Sequence, residues 1–322
     1  MENISIAYTS ARQNVASAVN VEMLNAYWNI GKGIIEFEQN GDQKATYGKR
    51  LLENLSKDLN LKYGKGFSRS NLSYMRLFYI KYPICETVSH KLGWSHYYEL
   101  LKIEDDLARE FYQNQAVIEN WTVRELKRQK KTGLFHRLAL SQNKEAVLEL
   151  SIKGHLVKSE KGLMKDPYIF EFLGIPENKQ YSENDVETAI INNLQKFLLE
   201  LGKGFAFIGQ QQRITLNNKH YYVDLVFYHT KLKCYVLIDL KIGGGEYEHI
   251  GQMKLYLGYY EKEISDDKDN KPIGIILSEE KDDIMVEYSM LNDKSKLIVS
   301  KYQLYLPEID ELKMKVKEII NN

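Results

Sequence analysis

The sequence predicts an α+β protein of two domains, an all-helical N-terminal domain followed by a domain built on a mixed β-sheet. Up to about Leu150 the apolar residues recur every three or four positions, which is the spacing of a helix face. After residue 180, helical segments alternate with apolar runs of strand length in the order α-β-β-β-α-β, followed by a further strand and helix. A chain of 322 residues is long enough to bury two hydrophobic cores.

Composition and charge limit the partners that this chain can have. A hydrophobic share of 43% with 27% charged residues is typical of a folded protein and argues against extensive disorder. The formal net charge is +0, so a nucleic-acid partner has to be recognised through local basic clusters. The sequence shows no signal peptide and no run of the roughly 20 apolar residues that a membrane span needs. We therefore expect a cytoplasmic protein with no membrane partner, in which Cys85 and Cys234 are reduced core thiols.

The helical domain is expected to span residues 1–150, with residues 151–180 as a connecting segment. Its first two helices are marked by apolar residues at helical spacing, namely Leu24, Tyr27, Trp28, Ile30, Ile34 and Phe37, then Leu51, Leu52, Leu55 and Leu59. Gly64 and Gly66 end the second helix, Ser68 can cap the third, and Pro83 ends it. A capping box of Thr122 and Glu125 predicts a further helix from there.

A basic stretch of this domain, residues 61–82, resembles a helix-turn-helix. It holds five basic residues and no acidic one, in a helix, a glycine turn and a second helix after Ser68. The start of such a second helix contacts base edges or phosphates. The candidate nucleic-acid contacts are Arg69, Ser70, Asn71 and Arg76, with a second basic cluster of Arg124, Lys127, Arg128, Lys130 and Lys131. Basic helix faces also occur in domains that serve assembly only, so a DNA-binding role and an assembly role, including a homodimer, both stay open.

The second domain, residues 181–322, is expected to begin with a helix and three strands. Ser182 and Asp185 form a capping box for a helix that Gly202 ends. Strands are predicted at 205–216, 221–229 and 233–242, with turns at 217–218 and 231–232. The remaining elements are a helix at 249–263, a strand at 271–278, a helix near 282–291, a strand at 296–306 and a helix after Pro307. An antiparallel meander joined through a helix to another strand predicts a mixed sheet with helices packed on it.

Three charged residues stand inside the apolar strands of this domain. Asp239 and Lys241 share one strand face because side chains alternate. A turn centred between residues 231 and 232 would place Asp224 opposite Asp239, with the Cβ atoms roughly 5 Å apart. A turn centred between residues 217 and 218 would put Gln211 and Arg213 on the same face as the carboxylates. Arg213 would then contact a phosphate or neutralise the aspartates.

Two facing carboxylates in a buried strand pair require a compensating charge. Like charges directly opposite each other destabilise a sheet, and burying an unpaired ion costs several kcal/mol. A divalent cation would remove the conflict, and carboxylate ligands suit Mg²⁺ or Mn²⁺. Lys241 could then position or deprotonate an attacking water, or stabilise charge on a phosphate. The pattern indicates metal-assisted phosphodiester hydrolysis, with a plain strand-borne ion pair as the alternative.

Asp224, followed on the next strand by Asp239-Leu240-Lys241, resembles the motif of the PD-(D/E)XK nuclease superfamily, which has a restriction-endonuclease-like α/β domain. Val223 stands where the motif's name has proline. Nearly the whole chain resembles the YhcG-like nuclease family. YWNIGKGIIEFEQNG, YGKRLLENLSKDL and GKGFSRSNLSYMRLFY are similar to its helical domain, and FLLELGKGFAFIGQQQRI, DLVFYH, DLKIG and GQMKLYL to its nuclease domain.

The resemblance implies a role for each matching position. Asp224 and Asp239 would be metal ligands, with Lys241 as the catalytic lysine. Glu187 would add a third carboxylate to the metal site, and Gln252 would be a supporting polar residue. The expected protein is an Mg²⁺- or Mn²⁺-dependent endodeoxyribonuclease with DNA as its partner. The alternative is a nuclease fold that binds nucleic acid or protein without cleaving, although a decayed site would be expected to lose one of Asp224, Asp239 and Lys241.

Overall fold

The computed structural model describes residues 2–39, 50–84, 89, 91–140, 144–155, 157, 160–163, 165, 167–176, 180–243, 246–280, 286 and 295–321. Cys85 lies outside these residues, as does the helix expected near 282–291 apart from Val286. The chain divides into two compact units, Met1–Arg128 and Gln129–Asn322. Among the helices so described, none combines the length and the apolar character that crossing a membrane requires.

The first unit is helical, as the sequence predicts. Its helices are α1 (Glu2–Gln39), α2 (Leu51–Tyr63), α3 (Arg69–Lys81), α4 (Trp94–Leu100), α5 (Asp106–Glu119) and the start of α6 (Val123–Lys131). Ser68 caps α3, because its hydroxyl accepts the Asn71 N–H at 3.2 Å. Helices α1 and α3 approach closely at Gly31, where a Cβ atom would clash with the Met75 carbonyl oxygen.

The second unit begins with helices α7 (Leu134–Ala139) and α8 (Lys144–Lys153), which the sequence assigned to the helical domain ending at residue 150. Both contact the C-terminal helix α12 (Ile309–Asn321). A Cβ atom at Gly133 would meet the side chains of Ile309 and Leu312, so the chain before α7 packs directly on α12. These helices therefore belong to the second unit.

One six-stranded mixed sheet forms the centre of this unit. Its strands are β1 (Tyr168–Ile169), β2 (Phe205–Leu216), β3 (Lys219–His229), β4 (Cys234–Lys241), β5 (Ile273–Ser278) and β6 (Lys296–Gln303), in the order β1-β6-β5-β4-β3-β2. β2, β3 and β4 pair antiparallel, whereas β4, β5, β6 and β1 pair parallel. Helices α9 (Glu183–Asn192) and α10 (Leu194–Leu201) precede the meander, and α11 (Glu246–Tyr259) joins β4 to β5. The predicted α-β-β-β-α-β order and fold class are confirmed.

Each face of the sheet has its own hydrophobic core. Helices α9 and α10 cover one face, where Val186 and Phe197 pack with Leu225 and Ile238. Helix α11 covers the other face, where Met253 and its neighbours pack with Val226, Leu237 and Ile276. The alternation of side chains along β3 and β4 therefore separates two cores, as expected for a sheet with helices on both sides.

The single helix predicted from Asp185 to Gly202 is interrupted at Asn193. The Asn193 side chain donates a hydrogen bond to the Ala189 carbonyl at 3.1 Å, and its φ of −119° ends α9. Asparagine side chains compete in this way with the hydrogen bonds of a helix.

A buried ion pair also fixes this part of the unit. The Arg137 Nη1 atom lies 2.7 Å from Glu200 Oε1, and both side chains are fully buried. Arg137 also donates to the carbonyls of Thr132 and Pro167, at 2.9 and 2.8 Å. Glu200 Oε1 accepts the Ile169 N–H at 3.2 Å, so the pair joins α7, α10 and β1.

Candidate active site

The β3–β4 hairpin has the register that the turn position predicts. Its backbone pairs run from His229 opposite Cys234 to Leu225 opposite Ile238. Asp224 and Asp239 stand one position beyond the last pair. The ladder is replaced there by a side chain, because Asp224 Oδ2 accepts the Leu240 N–H at 2.8 Å.

The alternation of side chains between the two faces of β3 is interrupted at Asp224. Val223 and Leu225 would share one face of a regular strand. Val223 nevertheless packs in the core under α11, and Leu225 packs in the core under α9 and α10. This irregularity frees the Asp224 carboxylate to cap the β4 backbone.

Asp239 and Lys241 lie side by side near the end of β4. Asp239 is 2% exposed and Lys241 9%. Lys241 Nζ is 3.0 Å from Asp239 Oδ2, yet among the described residues no well-aligned hydrogen-bond donor serves this buried oxygen. The contact is thus an ion pair that leaves hydrogen-bonding capacity on Asp239.

The pKa of the Asp239 carboxyl is raised to about 7. Burial is the largest cause, the Asp224 carboxylate also raises this pKa, and Lys241 lowers it. Burial by itself would lower the pKa of Lys241, but the charges of Asp239, Asp224 and Glu183 outweigh it and raise that pKa above its ordinary value. The ammonium of Lys241 is therefore held in its charged form by the carboxylates around it.

Glu183 joins the site although no feature of the sequence selected it. Its Oε2 atom is 3.5 Å from Lys241 Nζ, and its Oε1 atom accepts the Ile242 N–H at 3.2 Å. Glu183 is the first residue of α9, where the helix dipole favours a carboxylate in any protein. That position therefore carries no signal that separates a site residue from an ordinary one.

Glu187 lies one turn further along α9 and is 7% exposed. Its Oε2 atom accepts a hydrogen bond from Gln211 Nε2 at 2.7 Å, and the same nitrogen donates to Asp224 Oδ1 at 3.1 Å. Burial raises the pKa of Glu187, the Gln211 hydrogen bond lowers it, and Asp224 raises it further. The structure thus links the predicted third carboxylate to Asp224 through Gln211.

Gln252 donates its hydrogen bond to a tyrosine. Its Nε2 atom is 2.6 Å from the Tyr256 hydroxyl, which in turn donates to the Tyr222 carbonyl at 3.0 Å. Burial raises the pKa of Tyr256, and the carboxylates of Asp239 and Asp224 raise it further. Gln252 is therefore linked through Tyr256 to the backbone of β3. The spacing of these residues on one helix face could have indicated the tyrosine from the sequence.

Arg213 stands opposite Tyr222 in the β2–β3 pairing and is exposed. Within the described part of the chain it makes no ion pair with Asp224 or Asp239. Of the two roles that the sequence left open, neutralising the aspartates is therefore not seen, whereas a phosphate could still reach this side chain.

The residues of the site fit a hard divalent cation. No three His, Cys, Asp or Glu side chains converge on a single point in the regions that the structure describes. Asp224 and Asp239 are nevertheless adjacent oxygen donors, which is the chemistry that Mg²⁺ and Mn²⁺ select. The buried Asp239 oxygen without an aligned donor offers one coordination position. Gln211 lies between Glu187 and Asp224, so among the described residues Glu187 does not converge with the two aspartates on one point.

Polar and charged residues of α3 and α6 are paired within the first unit. Arg69 lies 3.1 Å from Glu53, and Arg76 lies 2.8 Å from Glu38. The Asn71 amide donates to the Gly66 carbonyl and accepts from Trp94 Nε1 at 2.9 Å. Ser70 and Arg124 are exposed. On α6, Lys127 lies 3.4 Å from Glu99 and Arg128 lies 3.7 Å from Glu125.

Comparisons with known proteins match a family to each half of the chain. A family described as the YhcG PDDEXK nuclease domain matches residues 161–317, and one described as the DUF1016 N-terminal domain matches residues 3–137. The protein of Escherichia coli (strain K12) named "Putative nuclease YhcG" is similar at 36% identity over 331 residues, 93% of this chain and 88% of that protein. A structure titled "crystal structure of a repair endonuclease from Pyrococcus abyssi" is similar at 19% identity over 41% of this chain and 50% of its own, with a TM-score of 0.26.

Proposed function

Because this chain belongs to the YhcG nuclease family, we propose that it is a metal-dependent endonuclease that hydrolyses DNA phosphodiester bonds. The observation that carries the proposal is the charge imbalance at the end of β4. Asp224, Asp239 and Glu183 surround a single ammonium, that of Lys241. Asp239 is buried beside Asp224, and a like charge next to a buried carboxylate is unfavourable unless a cation joins them, so this arrangement suits a site that binds one.

Each residue of the site has a defined task in this proposal. Asp224 and Asp239 would hold Mg²⁺ or Mn²⁺, with Glu187 as the third carboxylate. The bound cation would lower the pKa of a water molecule and offset the charge of the phosphate. Lys241, fixed between Asp239 and Glu183, would orient the attacking water or stabilise charge on the phosphate. Gln252 would hold Tyr256, whose hydrogen bond to Tyr222 fixes α11 against β3.

DNA would be bound by basic side chains of both units, in the cytoplasm. Arg213 is exposed on β2, two residues from Gln211, which contacts Asp224. In the first unit, Arg69 and Arg76 are paired only with partly exposed carboxylates. Exposed ion pairs contribute little to stability, so a phosphate can compete for these guanidinium groups.

The test is a cleavage screen with Mg²⁺, Mn²⁺ and Ca²⁺ on duplex, branched and single-stranded DNA and on RNA. We expect cleavage of at least one DNA substrate with Mg²⁺ or Mn²⁺. Lys241→Ala should lower the rate roughly 10² to 10⁴-fold while Mn²⁺ binding persists, because it removes a positioned acid-base group. Lys271→Ala, which changes an exposed lysine 2.9 Å from Glu261, is the matched control and should keep the wild-type rate. A protein that binds no divalent ion in calorimetry, with or without DNA, would contradict the proposal.

A further inference from the structure

Gln211 has a backbone conformation that its place in the fold does not explain. It lies in the middle of β2, a strand of 12 residues, and its φ is +47°. The other non-glycine residues with positive φ in the described regions are Asn120 at a helix end and Asn217, Asn218 and Lys233 in turns. A left-handed non-glycine residue inside a strand costs about 1–3 kcal/mol and persists where the surroundings require it.

At Gln211 the ladder is interrupted over a single position. Gln210 pairs with Leu225 and Gln212 pairs with Val223, so the β2–β3 ladder continues on both sides. Here Gln211 and the facing Asp224 leave the ladder, which also has a separate bulge between Phe207 and Gly209. The β3–β4 ladder also ends at Asp224, so the β2–β3 and β3–β4 pairings are both interrupted beside the same carboxylate.

In this conformation the Gln211 side chain bridges the carboxylates of Glu187 and Asp224. The Gln211 Nε2 atom is 2.7 Å from Glu187 Oε2 and 3.1 Å from Asp224 Oδ1. The amide nitrogen has two N–H donors and carboxylates only accept, so the chemistry fixes which end of the amide faces them. Without the amide, the two like charges would repel each other.

We propose that Gln211 is a positioning residue of the metal site, which ties the Glu187 carboxylate of α9 to Asp224 of β3. This inference rests on the proposed metal-dependent hydrolysis. It explains how Glu187, which lies on α9, would be held near the aspartates of β3 and β4. Hydrogen bonds from the amide hold one oxygen of each carboxylate and leave the other oxygen of Glu187 and the remaining lone pairs of Asp224 for coordination. Residues that orient ligands in this way influence metal affinity strongly.

The experiment compares Mn²⁺ affinity, measured by calorimetry and by electron paramagnetic resonance, in full-length variants. Gln211→Gly removes the amide but suits a positive φ, so it separates the bridge from backbone strain. We expect its Mn²⁺ affinity to fall about 10-fold or more. Gln211→Asn keeps an amide and tolerates this backbone but is one methylene shorter, so it should also bind Mn²⁺ more weakly. Gln210→Ala, which changes the exposed neighbour, should match the wild type.

A double-mutant cycle with Glu187→Ala decides whether Gln211 acts through Glu187. In that background, Gln211→Gly should change the Mn²⁺ affinity by less than about 2-fold, because coupled residues are not additive. An equal loss in both backgrounds, or wild-type affinity for Gln211→Gly and Gln211→Asn, would overturn the positioning role and leave the proposed function intact. If the wild-type protein itself binds no Mn²⁺, the proposed function fails instead, and the positioning role fails with it.

Discussion

Asp239 is the residue whose environment departs most from what its side chain prefers. It is almost completely buried beside a second carboxylate, and its ion-pair partner Lys241 is shared with Glu183. The sequence predicted Asp224, Asp239 and Lys241 because charges inside apolar strands are conspicuous. It could not predict Glu183, since this residue resembles any other carboxylate at a helix start until α9 is packed against the strand end, whereas Tyr256 stands one turn after Gln252 and could have been found from that spacing.

Burial of Asp239 predicts a specific pH dependence of stability in protein freed of divalent ions. Its pKa is about 7 in the folded protein, and an unfolded aspartate has a pKa of about 3.9. The folded state therefore holds the proton more tightly, so the free energy of unfolding should fall as the pH rises from about 4 to about 7. Asp239→Asn removes this contribution.

The measurement is urea unfolding of both proteins with a chelator across that range. The wild type should lose stability relative to Asp239→Asn as the pH rises. Asp310→Asn, at a side chain 92% exposed, should follow the wild-type curve. Parallel curves for the wild type and Asp239→Asn would show that the Asp239 carboxyl is not perturbed.

Strand registers were predictable and local breaks were not. The position of each turn sets the register of its hairpin, because it decides which residues face each other, although a bulge between Phe207 and Gly209 shifts the far end of the β2–β3 pairing by one residue. The interruption at Asn193 was missed because the apolar spacing continues through it. The left-handed turn of Gln211 was missed because it depends on carboxylates contributed by α9 and β3.

The packing of α7 on α10 and β1 predicts the effect of breaking the Arg137–Glu200 pair. Glu200→Ala would leave a fully buried guanidinium without its carboxylate, which should lower the free energy of unfolding by about 3–5 kcal/mol. Arg137→Met combined with Glu200→Leu should recover most of this loss, because neither charge of the pair then remains buried.

Denaturant unfolding measures both variants against an exposed ion pair. Glu149→Ala removes the partner of Lys153 at 2.7 Å, where both side chains are mostly exposed, and should cost no more than about 0.5 kcal/mol. A Glu200→Ala variant as stable as this control would mean that water or another group replaces the carboxylate.

Two arginines of the first unit form ion pairs with acidic residues from other helices. Although residues 61–82 contain no acidic residue, the fold supplies Glu53 to Arg69 and Glu38 to Arg76. The sequence showed the basic stretch, but it could not show these acidic partners, which come from α1 and α2. DNA binding by this unit therefore depends on whether phosphates displace the carboxylates.

Replacing either Arg69 or Glu53 in the full-length protein distinguishes a DNA-binding role of α3 from an assembly role. If phosphates compete with Glu53, Arg69→Ala should weaken DNA binding and reduce the log-log salt slope by about one unit, whereas Glu53→Ala should strengthen binding. In an assembly role the pair acts as a unit, and either substitution should alter oligomeric state or stability in the same direction. Fluorescence anisotropy at salt concentrations from about 50 to about 200 mM, over which phosphate contacts respond strongly, provides the measurement. Equal affinities and slopes for the two variants and the wild type would exclude Arg69 from DNA binding and leave assembly as the role of α3.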